Sequence, residues 1–363
     1  MKIAFIAGNL GQGGAERQLF NILALLKSEK VDVDLFCFET GGFWKGPIEK
    51  LGVKITYIYG KTRICRLLSL IVHLSNGQYN FIHSQHFYTN LYAFVVGLIC
   101  GVNSVGASRS DVIAEVSEMG ILGWLSLWLP TKLAANSHAG VRKAVQLSRK
   151  ADTVFFLPNF IDTQVFFPNL LREHNSVFRV IVVGTIRKPK RIDRVVDIAE
   201  IISKRSNNKI VLEIIGDGDL LSFYIAYAES KNVLNSTVFF KGRINNIAEE
   251  YRLADALLLT SDYEGTPNVV LEAMASGLPV VSTPVGDVPE FVIYGSAGFV
   301  INFDEMEKIA DSIEFLANNR QESIKMGGRA RMFVCKNYSL EKLRKELLNL
   351  YSLDSVVQQG ELK

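Results

Sequence analysis

The sequence predicts an α/β protein built from two doubly wound domains, each a parallel sheet with helices on both faces. Short apolar runs that are typical of buried strands alternate with amphipathic helical stretches along the whole chain. This alternation occurs twice, and a segment without a long period separates the two halves. The 363 residues, 48% hydrophobic and 21% charged, suit two globular domains of ordinary size.

Seven strands are expected in the first half and six in the second. In the first half they lie at about 2–7, 31–38, 53–58, 79–83, 103–107, 132–136 and 152–156. In the second half they lie at about 178–184, 209–215, 236–240, 255–260, 279–282 and 298–301. The predicted domains are residues 1–168 and 169–338, followed by a C-terminal segment, 339–363, with a helix and a frayed tail in its last ten residues. The apolar stripe of that helix is Leu340, Leu343, Leu347 and Leu350.

Composition limits where the protein is expected to work. No apolar run reaches about 18 residues, so no transmembrane helix is expected. The N-terminus MKIAFIAGNLGQGG has too short an apolar core for a signal peptide. The four cysteines are scattered without metal-like spacing, which indicates reduced thiols. We therefore expect a cytoplasmic protein.

The most informative segment is 255–282, ADALLLTSDYEGTPNVVLEAMASGLPVVS. A buried strand is followed by a turn, with Thr266 predicted as a helix N-cap and Pro267 as the first helical residue. The amides of Asn268 and Val269 would then lack intrahelical partners. Free amides at a helix N-terminus form an anion site that suits a phosphate.

Two glutamates flank that anion site. Glu272 lies four residues after Asn268 on the same helix face, roughly 6 Å along the axis, where a carboxylate would accept bonds from a ribose diol. Glu264, followed by Gly265 before the helix, would lie on the sugar side of a diphosphate. An ordinary helix with two exposed glutamates is the alternative, and the complete string EGTPNVVLEAMASGLPVV argues against it.

This segment closely resembles the signature of retaining glycosyltransferases of family 4, among the glycosyl transferases of group 1. The resemblance implies the GT-B fold, in which two Rossmann-like domains are separated by a cleft and the last helix returns to the first domain. It also implies that Glu264 approaches the donor sugar and that Glu272 binds the ribose. The intervening Gly265, Thr266, Pro267, Asn268 and Val269 would bind the donor as well.

A glycine-rich loop, GNLGQGGAER, follows the first strand. Such a turn is also found in dinucleotide-binding proteins, but the spacing is not a clean GxGxxG and no suitable acid follows the second strand. The loop resembles the family's G-GGAER loop, which implies that Gly13 and Gly14 face the donor sugar. Glu16 is a candidate on the acceptor side, although it would also complement the helix dipole.

Basic residues crowd the loop that opens the second half, VVGTIRKPKRIDRVVDIAE. Cations there would neutralise a leaving diphosphate. Lys190 matches the family's lysine, which makes it a catalytic and donor-binding candidate, whereas Thr185 occupies the position of the family's arginine. Arg187 is a candidate for supplying that missing charge. A solvated basic loop is the alternative, and it fits Lys188 and Arg191 best.

The string NFIHSQHFYTN resembles the family's H-x-H loop. His83 matches the first histidine and Gln85 occupies the second position, so His86 is the candidate to substitute for the second. His83 and His86 are catalytic candidates, with an ordinary structural hydrogen bond as the alternative. Gln85, together with Arg109 after the next strand, is assigned to the acceptor side because strand C-termini face a common crevice.

The string GDGDL offers an Asp-x-Asp pair, Asp217 and Asp219, which suits a divalent cation. The family carries G-x-G at this turn for close approach to the nucleotide. We therefore assign Gly216 and Gly218 to donor binding and predict no metal.

Together these motifs predict a retaining glycosyltransferase that uses a UDP- or GDP-sugar as co-substrate and needs no other cofactor. The loop FKGRINNI resembles the base-reading loop of the family, which implicates Arg243 and Ile244. The acceptor is a saccharide, by analogy a lipid-linked one in surface polysaccharide synthesis, and no nucleic-acid partner is expected. Two alternatives stay open: a GT-B nucleotide-sugar epimerase and a non-catalytic nucleotide-sugar-binding subunit.

Charge is unevenly distributed. Residues 1–168 hold 16 basic and 11 acidic residues, against 24 and 26 in residues 169–363. The cluster Lys61, Arg63 and Arg66 and the paired Trp124 and Trp128 suit an anionic membrane surface. We expect peripheral attachment to the inner face of the plasma membrane, with a solvated surface and a core-packed tryptophan helix as the alternatives.

Overall fold

The computed structural model describes residues 1–169, 177–205 and 209–352, without the side chains of Lys209 and Tyr294. These residues form two units. The first unit comprises Met1–Phe160 and the chain from Leu340 onward, and the second comprises Ile161–Ser339. The division falls within the predicted linker, earlier than the predicted boundary after residue 168. The end of that linker and the predicted frayed tail lie outside the described residues.

The first unit holds a parallel sheet of seven strands. The strands are β1 (Lys2–Ala7), β2 (Asp32–Cys37), β3 (Lys54–Tyr57), β4 (Phe81–Ser84), β5 (Asn103–Ser108), β6 (Lys132–Ala135) and β7 (Val154–Phe156). Their spatial order is β3-β2-β1-β4-β5-β6-β7. The helices are α1 (Gly14–Ser28), α2 (Lys45–Lys50), α3 (Arg63–Leu74), α4 (Asn90–Cys100), α5 (Val112–Met119), α6 (Ile121–Trp128) and α7 (His138–Gln146), with 3-10 turns at Phe87–Thr89 and Ala151–Thr153.

The second unit holds a parallel sheet of six strands. The strands are β8 (Val177–Val183), β9 (Lys209–Ile215), β10 (Val238–Gly242), β11 (Ala256–Leu259), β12 (Val280–Ser282) and β13 (Gly298–Val300). Their order is β10-β9-β8-β11-β12-β13. The helices are α8 (Ile192–Arg205), α9 (Leu221–Ser230), α10 (Ile247–Leu253), α11 (Asn268–Ala275), α12 (Met306–Asn318) and α13 (Arg320–Asn337), with a 3-10 turn at Lys188–Lys190 and a π-helical turn at Glu290–Tyr294.

The last helix, α14 (Leu340–Tyr351), belongs to the first unit. Leu343, Leu347 and Leu350 enter the core around β1 and α1, whereas Leu340 is 47% exposed and falls outside the predicted stripe. Burying a leucine side chain stabilises a fold by about 1.5–3 kcal/mol, so three of them dock the helix firmly. The predicted fold class, two doubly wound Rossmann-like domains with a C-terminal helix returning to the first, is confirmed.

Each predicted strand has a counterpart because the buried strands are continuous apolar runs. Residues Ile3 to Ala7 and Ala256 to Leu259 are almost fully buried, as expected for parallel strands covered on both faces. All four cysteines are free thiols. No described helix combines the length and the apolarity that crossing a bilayer requires.

Candidate functional site

Both sheets reverse their strand order at one point, between β1 and β4 in the first unit and between β8 and β11 in the second. In doubly wound folds, ligands bind outside the carboxyl ends of the strands at this switch point. The loops after β8 and β11 carry Lys190 and Glu264, and the loops after β1 and β4 carry Gly13 and His86. The fold therefore brings several predicted site residues to the two switch points.

Lys190 and Glu264 form an ion pair at the switch point of the second unit. Lys190 Nζ donates to Glu264 Oε1 at 2.5 Å, and Ser261 Oγ donates to the same oxygen at 2.8 Å. The side chains are 25% and 16% exposed, so the pair is partly shielded from water. The loops after β8 and β11 thus meet through a basic and an acidic group, the two charges that the sequence assigned to a diphosphate and a sugar.

Hydrogen bonds to backbone carbonyl oxygens hold these two loops together. The hydroxyl of Thr260 donates to the carbonyl oxygens of Lys190 and Arg191, both at 3.1 Å. The amide of Asp262 donates to the carbonyl oxygen of Pro189 at 2.8 Å. Arg191 also pairs with Asp193 and Asp262, so it has a structural role and is not simply a solvated charge.

Helix α11 begins one residue later than predicted. Pro267 is its N-cap, with an extended backbone (ψ 117°), and Asn268 is the first helical residue. The prediction of Thr266 as the N-cap and Pro267 as the first helical residue is therefore wrong. Thr266 is buried, and its hydroxyl lies 3.5 Å from Asp287 Oδ2.

The first two residues of α11 are Asn268 and Val269, where the sequence predicts an anion site. The first bonds to the helix come from Val270 and Leu271, whose amides donate to the carbonyl oxygen of Pro267 at 3.1 and 3.4 Å. The amides of Asn268 and Val269 precede these bonds. Glu272, one turn further, is only 3% exposed. A carboxylate buried to this degree is normally hydrogen-bonded or paired and is not a solvated surface charge.

Three glycines after β8 and β9 allow close approach of backbone to backbone. A Cβ at Gly216 would lie 1.9 Å from the carbonyl oxygen of Gly184, and one at Gly218 would lie 2.3 Å from that of Ile186. Gly216 (φ +151°) and Gly184 (φ +153°) also adopt backbone conformations that favour glycine. The G-x-G turn is thus explained by packing between the two loops, and its donor-binding role stays a prediction.

The other donor-side candidates lie at the surface of the second unit. Thr185, Arg187 and Arg243 are exposed, while Ile244 is partly buried against the core. Asp217 accepts a hydrogen bond from the amide of Gly218 at 2.8 Å, so it organises its own turn. Within the described residues, no group of three or more His, Cys, Asp or Glu side chains could hold a metal ion.

In the first unit, His86 and Glu16 meet at the switch point. The amide of Gly8 donates to His86 Nδ1 at 3.2 Å, and His86 Nε2 lies 3.1 Å from Glu16 Oε1. Because Nδ1 accepts a hydrogen bond, the ring proton is on Nε2, which donates a hydrogen bond to Glu16. Gly13 leaves room for this carboxylate, since a Cβ there would lie 2.1 Å from Glu16 Oε2. Gly14 is exposed as the first residue of α1.

The remaining candidates of the first unit are more deeply placed. Gln85 is fully buried and donates from Nε2 to the carbonyl oxygen of Ala15 at 2.7 Å. His83 is also fully buried, stacks on Phe5 and bonds to the Tyr351 hydroxyl. Burial lowers the pKa of His83 to about 3, with the charge of Arg109 as a smaller cause. His83 therefore makes the structural hydrogen bond that was the alternative for it, and its catalytic role stays a prediction.

Residues 168–333, which lie within the second unit, match the family model described as Glycosyl transferases group 1. This range contains Lys190, Glu264 and Glu272. The second unit belongs to the glycosyl transferases group 1 family.

Two curated relatives are similar to this chain over different lengths. N-acetyl-alpha-D-glucosaminyl L-malate synthase of Bacillus anthracis is 27% identical over 226 residues, 60% of this chain and 58% of that protein. UDP-Gal:alpha-D-GlcNAc-diphosphoundecaprenol alpha-1,3-galactosyltransferase of Escherichia coli is 22% identical over 378 residues, 95% of each chain. The matched part thus spans little more than half of the Bacillus anthracis protein.

A solved structure shares the fold of this chain. Anabaena Alr3699/HepE, in complex with UDP-glucose, has a TM-score of 0.83 at 17% identity, and the match covers 97% of this chain and 99% of that one. At this identity the likeness shows the fold alone.

Two residues at the switch points were not predicted from the sequence. Ser261 supports Glu264, and its place three residues earlier in the same loop was the available signal. Tyr88 stacks on His86 with ring centroids 5.3 Å apart and covers Gly8, where a Cβ would lie 1.4 Å from the tyrosine hydroxyl. Burial is the first cause that raises the pKa of Tyr88 to about 12, so the phenol keeps its proton at neutral pH.

Proposed function

We propose that this protein is a retaining glycosyltransferase that moves a sugar from a UDP- or GDP-sugar to a saccharide acceptor. The observation that carries the proposal is the Lys190–Glu264 ion pair beside the N-terminus of α11, at the switch point of a group 1 glycosyl transferase domain. The names of the relatives support a nucleotide sugar, since one is a UDP-Gal transferase and the fold relative was solved with UDP-glucose.

In this proposal the donor diphosphate lies against the first amides of α11 and the Lys190 ammonium. The helix dipole and the Lys190 ammonium attract the negatively charged diphosphate. This attraction strengthens in the transition state, as negative charge builds on the leaving diphosphate. Glu272 holds the ribose, and Glu264 lies beside the sugar, where positive charge develops as the glycosidic bond breaks.

The bonding changes need no protein base. The bond between the anomeric carbon and the diphosphate oxygen breaks, and the acceptor oxygen forms its bond to the same face of that carbon. The acceptor proton passes to the departing diphosphate. Lys190 and the helix amides supply the positive charge that a divalent cation supplies in other transferases, so we propose metal-independent turnover.

The acceptor in this proposal is a lipid-linked saccharide used for surface polysaccharide. The support is the name of the Escherichia coli relative, which acts on a diphosphoundecaprenol-linked sugar, and the apolar surface of the first unit. Such an acceptor would be presented at a membrane, which makes attachment to an anionic membrane part of the proposal.

Helix α3 offers an apolar stripe to solvent. Ile64, Leu68 and Val72 are four residues apart, so they share one face, and they are 70%, 57% and 69% exposed. The exposed Lys61 and Arg63 lie at the start of the same helix. An apolar face flanked by cations is the pattern of a helix that lies in the interface of an anionic bilayer.

Two neighbouring helices extend this surface. α3 packs against α4, and α4 packs against α6. Leu98 and Ile99 of α4 are exposed, as are Trp124 and Trp128 of α6, whose rings lie 4.9 Å apart. The tryptophan helix is thus not entirely core-packed. Tryptophan suits the region between headgroups and acyl chains.

The test of transfer starts with a screen of UDP- and GDP-sugars for thermal stabilisation, followed by turnover with and without saccharide acceptors. We expect a donor that stabilises the protein and releases nucleoside diphosphate only when an acceptor is present. Lys190→Met should abolish turnover, whereas Lys188→Met, an exposed lysine in the same turn, should not. Activity should survive excess EDTA. An isomerised donor formed without acceptor would indicate the epimerase, and binding without any turnover would indicate the non-catalytic subunit.

The test of membrane attachment is co-sedimentation with vesicles. Wild type should bind anionic vesicles and detach as salt rises, because the surface attraction is screened. Replacing Leu68 and Val72 with serine should weaken binding, whereas Ile324→Ser, an exposed apolar side chain of the second unit, should not. Equal binding to neutral and anionic vesicles, or no binding to either, would contradict the proposal.

A further inference from the structure

The first unit contains a buried cation without an acceptor. Arg109 follows β5, and its carbonyl oxygen accepts a hydrogen bond from Asn136 Nδ2 at 3.3 Å. Its three guanidinium nitrogens are buried, and none has a hydrogen-bond partner among the described residues. Buried guanidinium groups in proteins are normally paired, because an unpaired buried charge is costly.

Burial weakens the acidity of the two groups whose charge would act on Arg109, Tyr351 and Glu115. Burial raises the pKa of Tyr351 well above its ordinary value and raises the pKa of Glu115 to about 8, so burial favours the uncharged form of both groups. His83 is neutral as well, because burial lowers its pKa. Burial lowers the pKa of Arg109 to about 10, which still leaves the guanidinium charged.

A second buried arginine of the same unit shows the contrast. Arg149 Nη1 donates to the carbonyl oxygens of Leu127 at 2.9 Å and Trp128 at 2.6 Å, and Nη2 donates to that of Pro130 at 2.5 Å. The chain thus provides acceptors where a guanidinium has only a structural role. Only Nε of Arg149 is without a partner, whereas all three guanidinium nitrogens of Arg109 lack one among the described residues.

Two other buried polar atoms at the end of β4 also lack partners among the described residues. His83 Nε2 and Gln85 Oε1 are buried without a hydrogen bond to any described residue. His83 lies on β4 beside β5, close enough for the Arg109 charge to act on its ring. If the Tyr351 hydroxyl donates to Nδ1, Nε2 carries a proton and is a second donor beside the guanidinium. Donors at the carboxyl ends of adjacent parallel strands suit an anionic ligand.

We propose that Arg109, assisted by His83, binds an oxyanion of the acceptor substrate, a phosphate or a carboxylate. A guanidinium binds either group through two parallel hydrogen bonds, which fixes orientation as well as position. The identification of the oxyanion as part of an acceptor rests on the proposed transferase function. The anion site itself rests only on the first unit. Arg109 is then a specificity-determining residue that selects acceptors bearing negative charge.

The test measures thermal unfolding of the full chain at constant ionic strength in chloride, inorganic phosphate, pyrophosphate and malate. At least one oxyanion should stabilise wild type, and Arg109→Met should weaken the apparent affinity for it by roughly tenfold to a hundredfold. Phosphate can also bind at the N-terminus of α11 and stabilise the protein there. The deciding quantity is therefore the part of the oxyanion stabilisation that wild type shows and Arg109→Met does not. Stabilisation by phosphate or pyrophosphate indicates a phosphate group on the acceptor, whereas stabilisation by malate indicates a carboxylate.

Two controls separate binding from folding. In chloride, Arg109→Met should be at least as stable as wild type, because it removes an uncompensated buried charge. Arg149→Met should be less stable in every buffer but should keep the oxyanion response. An unchanged response in Arg109→Met, or no oxyanion effect on wild type, would overturn the proposal. If no sugar is ever transferred while the Arg109-dependent response persists, the transferase function fails and the anion site stands.

Discussion

The carboxylate of Glu264 competes with the proposed donor for one ammonium group. Lys190 Nζ lies 2.5 Å from Glu264 Oε1 in the ligand-free protein. The same ammonium is proposed to bind the donor diphosphate, so nucleotide binding must loosen or share this ion pair. Glu264→Gln removes the competing charge but keeps the shape of the side chain and its contact with Ser261. We therefore expect Glu264→Gln to bind the nucleoside diphosphate more tightly than wild type and to turn over more slowly.

The size of the effect follows from the exposure of the pair. With side chains 25% and 16% exposed, the interaction is neither a fully solvated surface pair nor a dry one. Hydrogen bonds to charged groups contribute about 1.5–3 kcal/mol net. Removing the charge of Glu264 should strengthen diphosphate binding by a free energy in the lower part of that range, which is roughly a tenfold gain in affinity. Turnover should fall by about a hundredfold or more, because one electrostatic group aimed at the transition state is typically worth that much.

Calorimetry with the nucleoside diphosphate and product release with the complete donor measure the two effects separately. Lys190→Met should bind the diphosphate roughly tenfold to a hundredfold more weakly. Ser261→Ala, which removes only the neutral partner of Glu264, should change affinity little. The reasoning is refuted if Glu264→Gln binds the diphosphate more weakly than wild type or if it transfers sugar at the normal rate.

Three further outcomes are expected. Glu272→Ala should weaken nucleotide affinity by roughly tenfold to a hundredfold in calorimetry, with a smaller effect on turnover at saturating donor, because a ribose contact exists in ground and transition states alike. Glu115→Gln should stabilise the protein increasingly as pH rises from about 4.5 to about 8, because the wild-type carboxyl stays protonated when folded and ionises when unfolded; equal urea stability differences at pH 5 and pH 8 would contradict this. On α13, Gly328→Ala should gain about 0.5–1 kcal/mol of stability because nothing lies within 4 Å of the new Cβ, whereas Gly327→Ala should lose stability because its Cβ would lie 1.8 Å from the Gly277 carbonyl oxygen. A loss at both positions would refute the packing argument.

Local patterns were enough to predict the strands and their class. Runs such as Ala256 to Leu259 are apolar without alternation, and only a strand buried on both faces needs that pattern. The boundary of α11 was missed by one residue because Pro267 fits both the N-cap and the first helical position. The buried Asp287, which approaches the Thr266 hydroxyl, comes from a loop that local spacing cannot reveal.

Pairings between loops could not be predicted from the sequence. Lys190 and Glu264 are 74 residues apart, and Glu16 and His86 are 70 apart. The motif resemblance assigned a role to each residue singly. Which loops meet depends on the strand order, and that order follows from long-range packing rather than from any period in the sequence. The lack of an acceptor for the Arg109 guanidinium among the described residues could not be predicted from the sequence for the same reason, since it depends on which residues surround the side chain.

The two units repeat one arrangement. In each, a residue that follows the first strand of the sheet pairs with a residue that follows the fourth. Glu16 pairs with His86 in the first unit, and Lys190 pairs with Glu264 in the second. The first and fourth strands are the neighbours at the switch point, so topology alone brings these loops together. The chemistry then diverges: the second unit presents a permanent cation for a diphosphate, whereas the first presents an imidazole whose proton is already directed to a carboxylate. The ammonium of Lys190 suits the donor's leaving diphosphate, and the imidazole and carboxylate of the first unit suit hydroxyl groups of a sugar, which is the division of substrates between the units that we propose.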